Sequence, residues 1–183
     1  MNRIGDWIQT SKGHKFFPFD PRPEEIDIDD IAHALSMMCR FGGHPDRFYS
    51  VAEHSFHCSQ IVPQEDALAA LLHDASEAYL VDVPRPIKRF EGMQSYRDAE
   101  AHLTKHILYR WNLDVVLPSS VKLADERMLA VEATTLFKSH PDNWPAKYQH
   151  LLTGTEPQPL CWAPSVAKVN FLTRFEQLIG IGA

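Results

Sequence analysis

The sequence predicts an all-α fold, a bundle of helices. Three observations carry that prediction. Apolar residues recur at three- and four-residue spacing through most of the chain beyond residue 28. Helix-start residues stand ahead of those stretches, as Ser50 does with Glu53 three positions later. No convincing run alternates apolar and polar residues as a half-buried strand does.

Taken in order, residues 1–27 are rich in Pro, Gly and aromatics ("GHKFFPFDPRPEEIDI") and are expected to wrap over the surface, with a short extended piece near Lys15–Phe19. Next, "DIDDIAHALSMMCRF" offers Asp29 or Asp30 as an N-cap ahead of Ile31, Leu35 and Met38. After the loop "GGHPDRFY", Ser50 and Glu53 read as a capping box for a helix that runs from Val51 to Pro63. A further helix spans about Gln64 to Leu80. "DVPRPIKRF" is a loop or a single turn, because Pro84 and Pro86 prevent a regular helix. Long helices are expected over 94–113 and 119–138. A Pro-rich passage, 140–164, then leads to "SVAKVNFLTRFEQLI". We read one domain over 1–183, with a core at 28–138, the wrap at 1–27 and a C-terminal segment and helix at 139–183.

Composition narrows the function classes. The chain has 183 residues, 44% of them hydrophobic and 23% charged, as in a soluble globular protein. A formal net charge of −6 argues against a nucleic-acid polymer as partner, while a small anion held by a local basic pocket remains open. Cys39, Cys58 and Cys161 share no CxxC spacing and read as reduced thiols, which points to the cytoplasm. No basic-then-apolar leader and no membrane-length apolar run is present in the sequence, so no membrane partner is expected.

The informative residues are polar ones on apolar faces. His54 lies on the stripe Val51, His54, Ser55, Cys58 and Ile61. In "AALLHDASEAYLVD", His73 and Asp74 flank the stripe Leu68, Leu72, Ala75 and Tyr79, with Glu77 one turn on and Asp82 closing the run. Asp125 interrupts the stripe Val121, Asp125, Met128, Glu132 and Leu136. A lone histidine in such a place is more often a hydrogen-bonded core residue than a ligand. Two imidazoles and two carboxylates on successive helices are harder to explain separately. Converging in a bundle, they would make a divalent-metal site, in which the ion compensates the buried charge. Their N/O donor set suits Mn, Co, Fe, Ni or Zn.

The ordered set His54, His73-Asp74, Asp125 resembles the H…HD…D signature of the HD-domain metal-dependent phosphohydrolases. The blocks "CRFGGHPDRFYSVAEHS", "LLHDASEAYLVDVPRPIK" and "VKLADERMLAVEA" are similar to its compact bacterial and phage members. Those are the YfbR-like 5′-deoxynucleotidases, prophage YfdR-like proteins and phage dATP triphosphohydrolases. The resemblance implies an HD-domain helical bundle with His54, His73, Asp74 and Asp125 as metal ligands. It implies that Glu77 positions or activates the attacking water and that Asp82 assists catalysis or a second metal. It further implies phosphate contacts from Arg40 and Lys88, a ring near the sugar or base from Phe41, and a nucleoside-pocket wall at Pro86. One more residue between Arg40 and His54 than in the deoxynucleotidases, and Phe41 where they have Trp, weaken the carry-over of Arg40 and Phe41. Homo-oligomers are common among these relatives.

The expected function is metal-dependent hydrolysis of a phosphate ester or anhydride in a small deoxynucleotide. Two versions stay open: a 5′-monophosphate giving nucleoside and phosphate, or a dNTP giving nucleoside and triphosphate. Arg85, Lys88 and Arg89 in one loop would suit a triphosphate, against a solvated charge run as the simpler reading. His102 and His106 form an HxxxH pair that could hold a second divalent ion, as in dinuclear members, or be surface or packing residues. A second ion would favour a cyclic-nucleotide or dinucleotide phosphodiesterase. A non-catalytic ligand-binding module is the remaining alternative. His44 is a candidate for lining the site, Arg47 for a further phosphate contact, and His33 reads as structural. A Cys/His zinc site using His54, His57 and Cys58 lacks a second motif, and Cys58 fits the core better.

Overall fold

In the computed structural model, which describes residues 3–181, the expected all-α class holds. The wrap opens with a two-stranded antiparallel hairpin, β1 (Ile8–Gln9) and β2 (Lys15–Phe16), shorter than the extended piece expected near Lys15–Phe19. Its Phe16 is fully buried and stacks on Tyr79, with ring centroids 3.9 Å apart. Arg3 ties the strap down through Asp20 and Glu25.

Helix α1 (Ile28–Met37) is capped by Asp27, whose carboxylate accepts from the Asp29 amide at 2.8 Å. The cap thus precedes the expected Asp29 or Asp30. Asp30 instead turns inward, because its carboxylate accepts from Ser11 Oγ and the Lys12 amide of the hairpin turn. Helix α2 (Val51–Cys58) starts as expected, with Ser50 Oγ accepting from the Glu53 amide at 3.1 Å. The reciprocal half of the capping box is replaced. Glu53 reaches across the chain and accepts from the amides of Leu160, Cys161 and Trp162, at 2.6, 2.9 and 2.7 Å. Helix α2 also ends at Cys58, before Pro63, where Ser59 back-bonds to the Phe56 carbonyl.

The single helix expected over 64–80 is broken. A 3₁₀ turn at Gln64–Asp66 leads into α3 (Ala67–Leu72), and α4 (Glu77–Leu80) follows after four residues of turn. Across the break the bonds tighten to i→i−3, as in Ala75 N–H to the Leu72 carbonyl and Glu77 N–H to the Asp74 carbonyl, both 3.0 Å. The proline loop forms one turn, α5 (Arg85–Lys88). Then come α6 (Gln94–Arg110) and α7 (Ser119–Leu136), a short turn α8 (Ala146–Gln149), and α9 (Pro164–Ile181).

Helix α9 lies against α1, α2 and α3, and the main core of Ile31, Leu35, Leu71, Leu72, Ile107 and Phe171 fills the space among them. A second cluster, Cys58, Ala70, Val121, Ala124 and Met128, joins α2 and α3 to α7. This packing brings His54 of α2 opposite the Asp125 and Glu132 face of α7. Among the described residues no helix is long and apolar enough to cross a membrane.

Two carboxylates fasten the C-terminal segment. Besides Glu53, buried Glu156 accepts from the Thr153 and Gly154 amides and from Arg127 of α7. Burial alone would raise the Glu156 pKa, but the Thr153 amide and the Arg127 guanidinium outweigh it and hold the pKa at about 2. A depressed carboxylate pKa stabilises the fold above its unfolded value, and that contribution is lost as pH falls through the folded value. Stability should therefore decline as pH drops from the ordinary glutamate range toward 2, and Glu156→Gln should flatten that decline in denaturation midpoints measured against pH. Glu53→Ala strands three amide donors, and we expect it to cost about 2–5 kcal/mol in urea denaturation, with little change in m.

Candidate metal centre

The break after α3 has a chemical consequence. Carbonyls in the last turn of a helix lack intrahelical partners, and the Ala70 carbonyl accepts from His73 Nδ1 at 2.7 Å. A carbonyl only accepts, so the proton sits on Nδ1 and Nε2 is left to face the site. On α2, His54 is wholly buried, and its Nδ1 donates to Glu132 Oε1 at 2.6 Å. Its Nε2 also turns inward, 3.3 Å from Nε2 of His73.

Two carboxylates complete the cluster. Asp74 Oδ2 lies 3.6 Å from His54 Nε2 and 3.2 Å from His73 Nε2, and Asp125 Oδ1 lies 3.4 Å from His54 Nε2. Ligands about 2.1 Å from one ion are separated by about 3.0 Å at right angles and about 3.4 Å at tetrahedral angles. The observed separations match the edges of such a polyhedron. His54, Cys58 and His73 also form a group that could hold an ion, with Cys58 Sγ 3.5 Å from His54 Nε2. The two sets share both imidazoles. Thiolate is the ligating form of cysteine, and burial raises the Cys58 pKa, although the neighbouring His54 opposes this.

The centre calls for positive charge. With both Nδ1 atoms committed as donors, neutral rings would point two lone pairs at each other. Burial and Arg40 oppose a second proton on His54, but Cys58, Glu132 and Asp125 outweigh them and raise its pKa well above the ordinary value. Burial likewise pushes up the Asp74 and Asp125 carboxyls. His73 outweighs it at Asp74, which stays well below the usual range, and His54 does so at Asp125, which is held at about 2. A cluster that gathers a proton between two ionised carboxylates also suits a divalent cation, so the donor set fits a metal.

Glu132 is the residue that sequence reasoning passed over. It is fully buried and accepts from His54 Nδ1, from the Tyr49 hydroxyl at 3.0 Å and from Arg40 Nε at 3.1 Å. Its signal was present, since it stands two helical turns after Asp125 on the same stripe. Carboxylate–histidine pairs of this kind orient metal-binding imidazoles. Arg40, also buried, is held between Glu132 and Asp74, whose Oδ2 lies 3.5 Å from Nη1.

Above the cluster opens a cavity of about 750 Å³. Asp74, Asp125, Glu77, Asp82, Arg40 and Phe41 line it, as do Pro86, Lys88 and His44, whereas Arg47 is exposed and does not. The buried Glu77 has one oxygen 3.5 Å from Lys88 Nζ and the other without a hydrogen-bond partner among the described residues. Burial, then Asp74 and Asp82, raise its pKa well above the ordinary value. Burial also raises that of Asp82. Asp82 is presented by Val81, a β-branched residue at φ 63° and ψ 156°, a strained conformation close to the glycine-only region. Tyr96 donates to its carbonyl at 2.7 Å.

Arg85 pairs with Asp125 at 3.0 Å, and Lys88 pairs with Glu100 at 2.6 Å. Phe41, at φ 57° before Gly42 and Gly43, meets Phe137 edge-on at 5.3 Å. Trp144 and Tyr148 extend that aromatic wall. Both come from the Pro-rich passage, where neither spacing nor periodicity marked them. His102 and His106, with rings 4.5 Å apart, stand on α6 outside the cavity lining.

Over 139 residues the chain is 42% identical to the uncharacterized protein YfdR of Escherichia coli, covering 76% of this chain and 77% of that one. It is 36% identical over 127 residues to an uncharacterized protein of Rhodobacter capsulatus, covering 64% of each. No family model matches the chain.

Saturating Mn²⁺ or Zn²⁺ should raise the melting temperature by about 5–10 °C, and the effect should weaken as pH falls, because protons compete for His54. His73→Ala and Asp125→Ala should abolish the shift. Cys58→Ala should retain it, and its loss there would favour the His54, Cys58 and His73 set. Glu132→Gln should lower metal affinity about 10–100-fold in calorimetric titration.

Proposed function

This chain belongs to the family of the Escherichia coli protein YfdR, and we propose that it is a metal-dependent phosphohydrolase of small nucleotides. The observation that carries this reading is the convergence of His54 Nε2, His73 Nε2, Asp74 Oδ2 and Asp125 Oδ1, with the separations given above, at the base of one cavity. The motif order, which resembles the HD-domain phosphohydrolases, supports the same assignment. These four atoms would hold one divalent ion. Such an ion lowers the pKa of a bound water and polarises a phosphoryl oxygen.

The remaining roles fall to side chains of the chain itself. The free oxygen of Glu77 is available to take a proton from an attacking water, and its raised pKa brings it nearer to neutral operating conditions. Lys88 steadies that carboxylate and adds positive charge beside the phosphate position. Arg85 can exchange its contact with Asp125 for phosphate oxygens once Asp125 is engaged by an ion, and the exposed Arg89 lines the same wall. Arg40, at the cavity wall, keeps Glu132 and Asp74 in place.

The cavity lining combines charged side chains with the aromatic rings of Phe41, Phe137, Trp144 and Tyr148, and the Arg40 guanidinium lies 5.3 Å from the Phe41 ring centroid. An anionic head joined to a ring system is the ligand chemistry that matches both kinds of lining, as in a nucleotide. The resemblance to the HD-domain phosphohydrolases narrows the proposed substrate to a 5′-monophosphate releasing phosphate or a dNTP releasing triphosphate. The positions of His102 and His106 give no support to a second ion, and hence none to the phosphodiesterase alternative.

Metal-loaded protein should hydrolyse at least one member of a panel of deoxynucleoside mono- and triphosphates, with inorganic phosphate or triphosphate identified as product. Asp74→Ala should abolish turnover. Glu77→Gln should lower kcat about 10²–10⁴-fold and remove the acid limb of the pH profile. Absence of hydrolysis across the panel with several ions would overturn the reading.

A further inference from the structure

A second cavity, of about 290 Å³, lies between the N-terminal hairpin, α1 and α4. Its walls include Gln9, Ser11, Asp30, His33 and Tyr79. Asp30 is 3% exposed and Tyr79 is 8% exposed, and each presents a buried polar atom without a hydrogen-bond partner among the described residues.

The pairing of Asp30 is half complete. Oδ1 accepts from Ser11 Oγ at 2.6 Å and from the Lys12 amide at 2.9 Å, while Oδ2 has no donor. The nearest cationic candidate, His14 Nδ1, lies 3.9 Å from Oδ2, and Lys12 Nζ is engaged by Asp27 at 2.7 Å. The Tyr79 phenol has no hydrogen-bond partner among the described residues, so its O–H donor is unused. The stacking of its ring on Phe16 prevents it from turning away. A buried donor or acceptor left unpaired costs about 1–3 kcal/mol, and more for a charge. The cavity thus offers one anionic acceptor and one hydroxyl donor.

That pair selects a ligand chemistry. The Asp30 carboxylate repels anions, so a phosphate or nucleotide does not suit this cavity. Asp30 and His33 are its one carboxylate and one imidazole among the described lining residues, fewer than the three side-chain ligands of an ordinary metal site, so a metal ion does not suit it either. We propose that this cavity binds a small organic cation of the amino-alcohol class. Its ammonium donates to Asp30 Oδ2, and its oxygen accepts from the Tyr79 hydroxyl. The proposal is independent of the hydrolase reading, because no residue of the metal cluster takes part.

Ethanolamine titrated into the full chain, followed by calorimetry and by amide chemical shifts, should show saturable binding with shifts confined to the hairpin, α1 and α4. Ethylene glycol, which lacks the charge, should not bind, and ethylammonium, which lacks the hydroxyl, should bind more weakly. Asp30→Asn keeps the Oδ1 acceptor, and Tyr79→Phe keeps the stack on Phe16. Each should weaken ethanolamine binding about tenfold or more, with folding checked by thermal melts. If Asp30→Asn fails to fold, the comparison of the three ligands on the unsubstituted chain decides. Ethanolamine that produces no saturable shift, or binds no better than ethylene glycol, would mean that the cavity holds only water and would overturn the proposal.

Discussion

A single buried carboxylate, Glu132, organises the centre of this molecule. It takes hydrogen bonds from three different parts of the chain: the α2 imidazole of His54, the Tyr49 hydroxyl and the Arg40 guanidinium. An ionised carboxylate in the interior is tolerable only when its oxygens are fully engaged. That requirement fixes the approach of α2 to α7, the rotamer of His54 and the course of the loop that carries Arg40. Burial opposes its ionisation, and Arg40 and His54 together outweigh burial, so its pKa falls below the ordinary value.

From this anchor outward, charge alternates in layers. Glu132 is negative; His54 and Arg40 are positive or donate; Asp74 and Asp125 are negative; Arg85 and Lys88 stand at the cavity wall. Each layer compensates the one beneath it, and the two Nε2 atoms, 3.3 Å apart, lie at the middle of the sequence. The same logic accounts for the break between α3 and α4. A regular helix would have kept its carbonyls for its own amides, whereas the end of α3 gives the Ala70 carbonyl to His73. Backbone regularity is given up where side-chain geometry matters most. The strained Val81, next to Asp82, follows the same pattern.

The C-terminal segment shows how distant parts of a chain converge on one cavity. Glu53 binds three consecutive amides at 160–162, and Arg127 holds Glu156. The passage between α7 and α9 is thereby fastened to the helices that carry His54 and Asp125. Trp144 and Tyr148, within that passage, become part of the lining of a cavity that α4, α5 and α7 also line.

Much of this was legible in the sequence, for local reasons. Periodicity exposed the helices, Ser50 announced the start of α2, and polar residues on apolar stripes marked His54, His73, Asp74 and Asp125, because a buried polar group must have a partner wherever the chain folds. The sequence alone could not say which partner. Glu53 had the spacing of a capping box, yet a better set of donors lay more than a hundred residues away. Glu132 looked like one more stripe position until Arg40 and Tyr49 converged on it. Arg47 read as a phosphate contact, but it is exposed and does not line the cavity. The helix over 64–80 had the right propensity, and the demand of His73 for a carbonyl goes with its interruption. What the sequence by itself determined were the elements and the residue types that cannot be buried alone. Which of them meet was decided by tertiary structure, because long-range hydrogen bonds and charge pairs depend on distance in space, which local spacing does not encode.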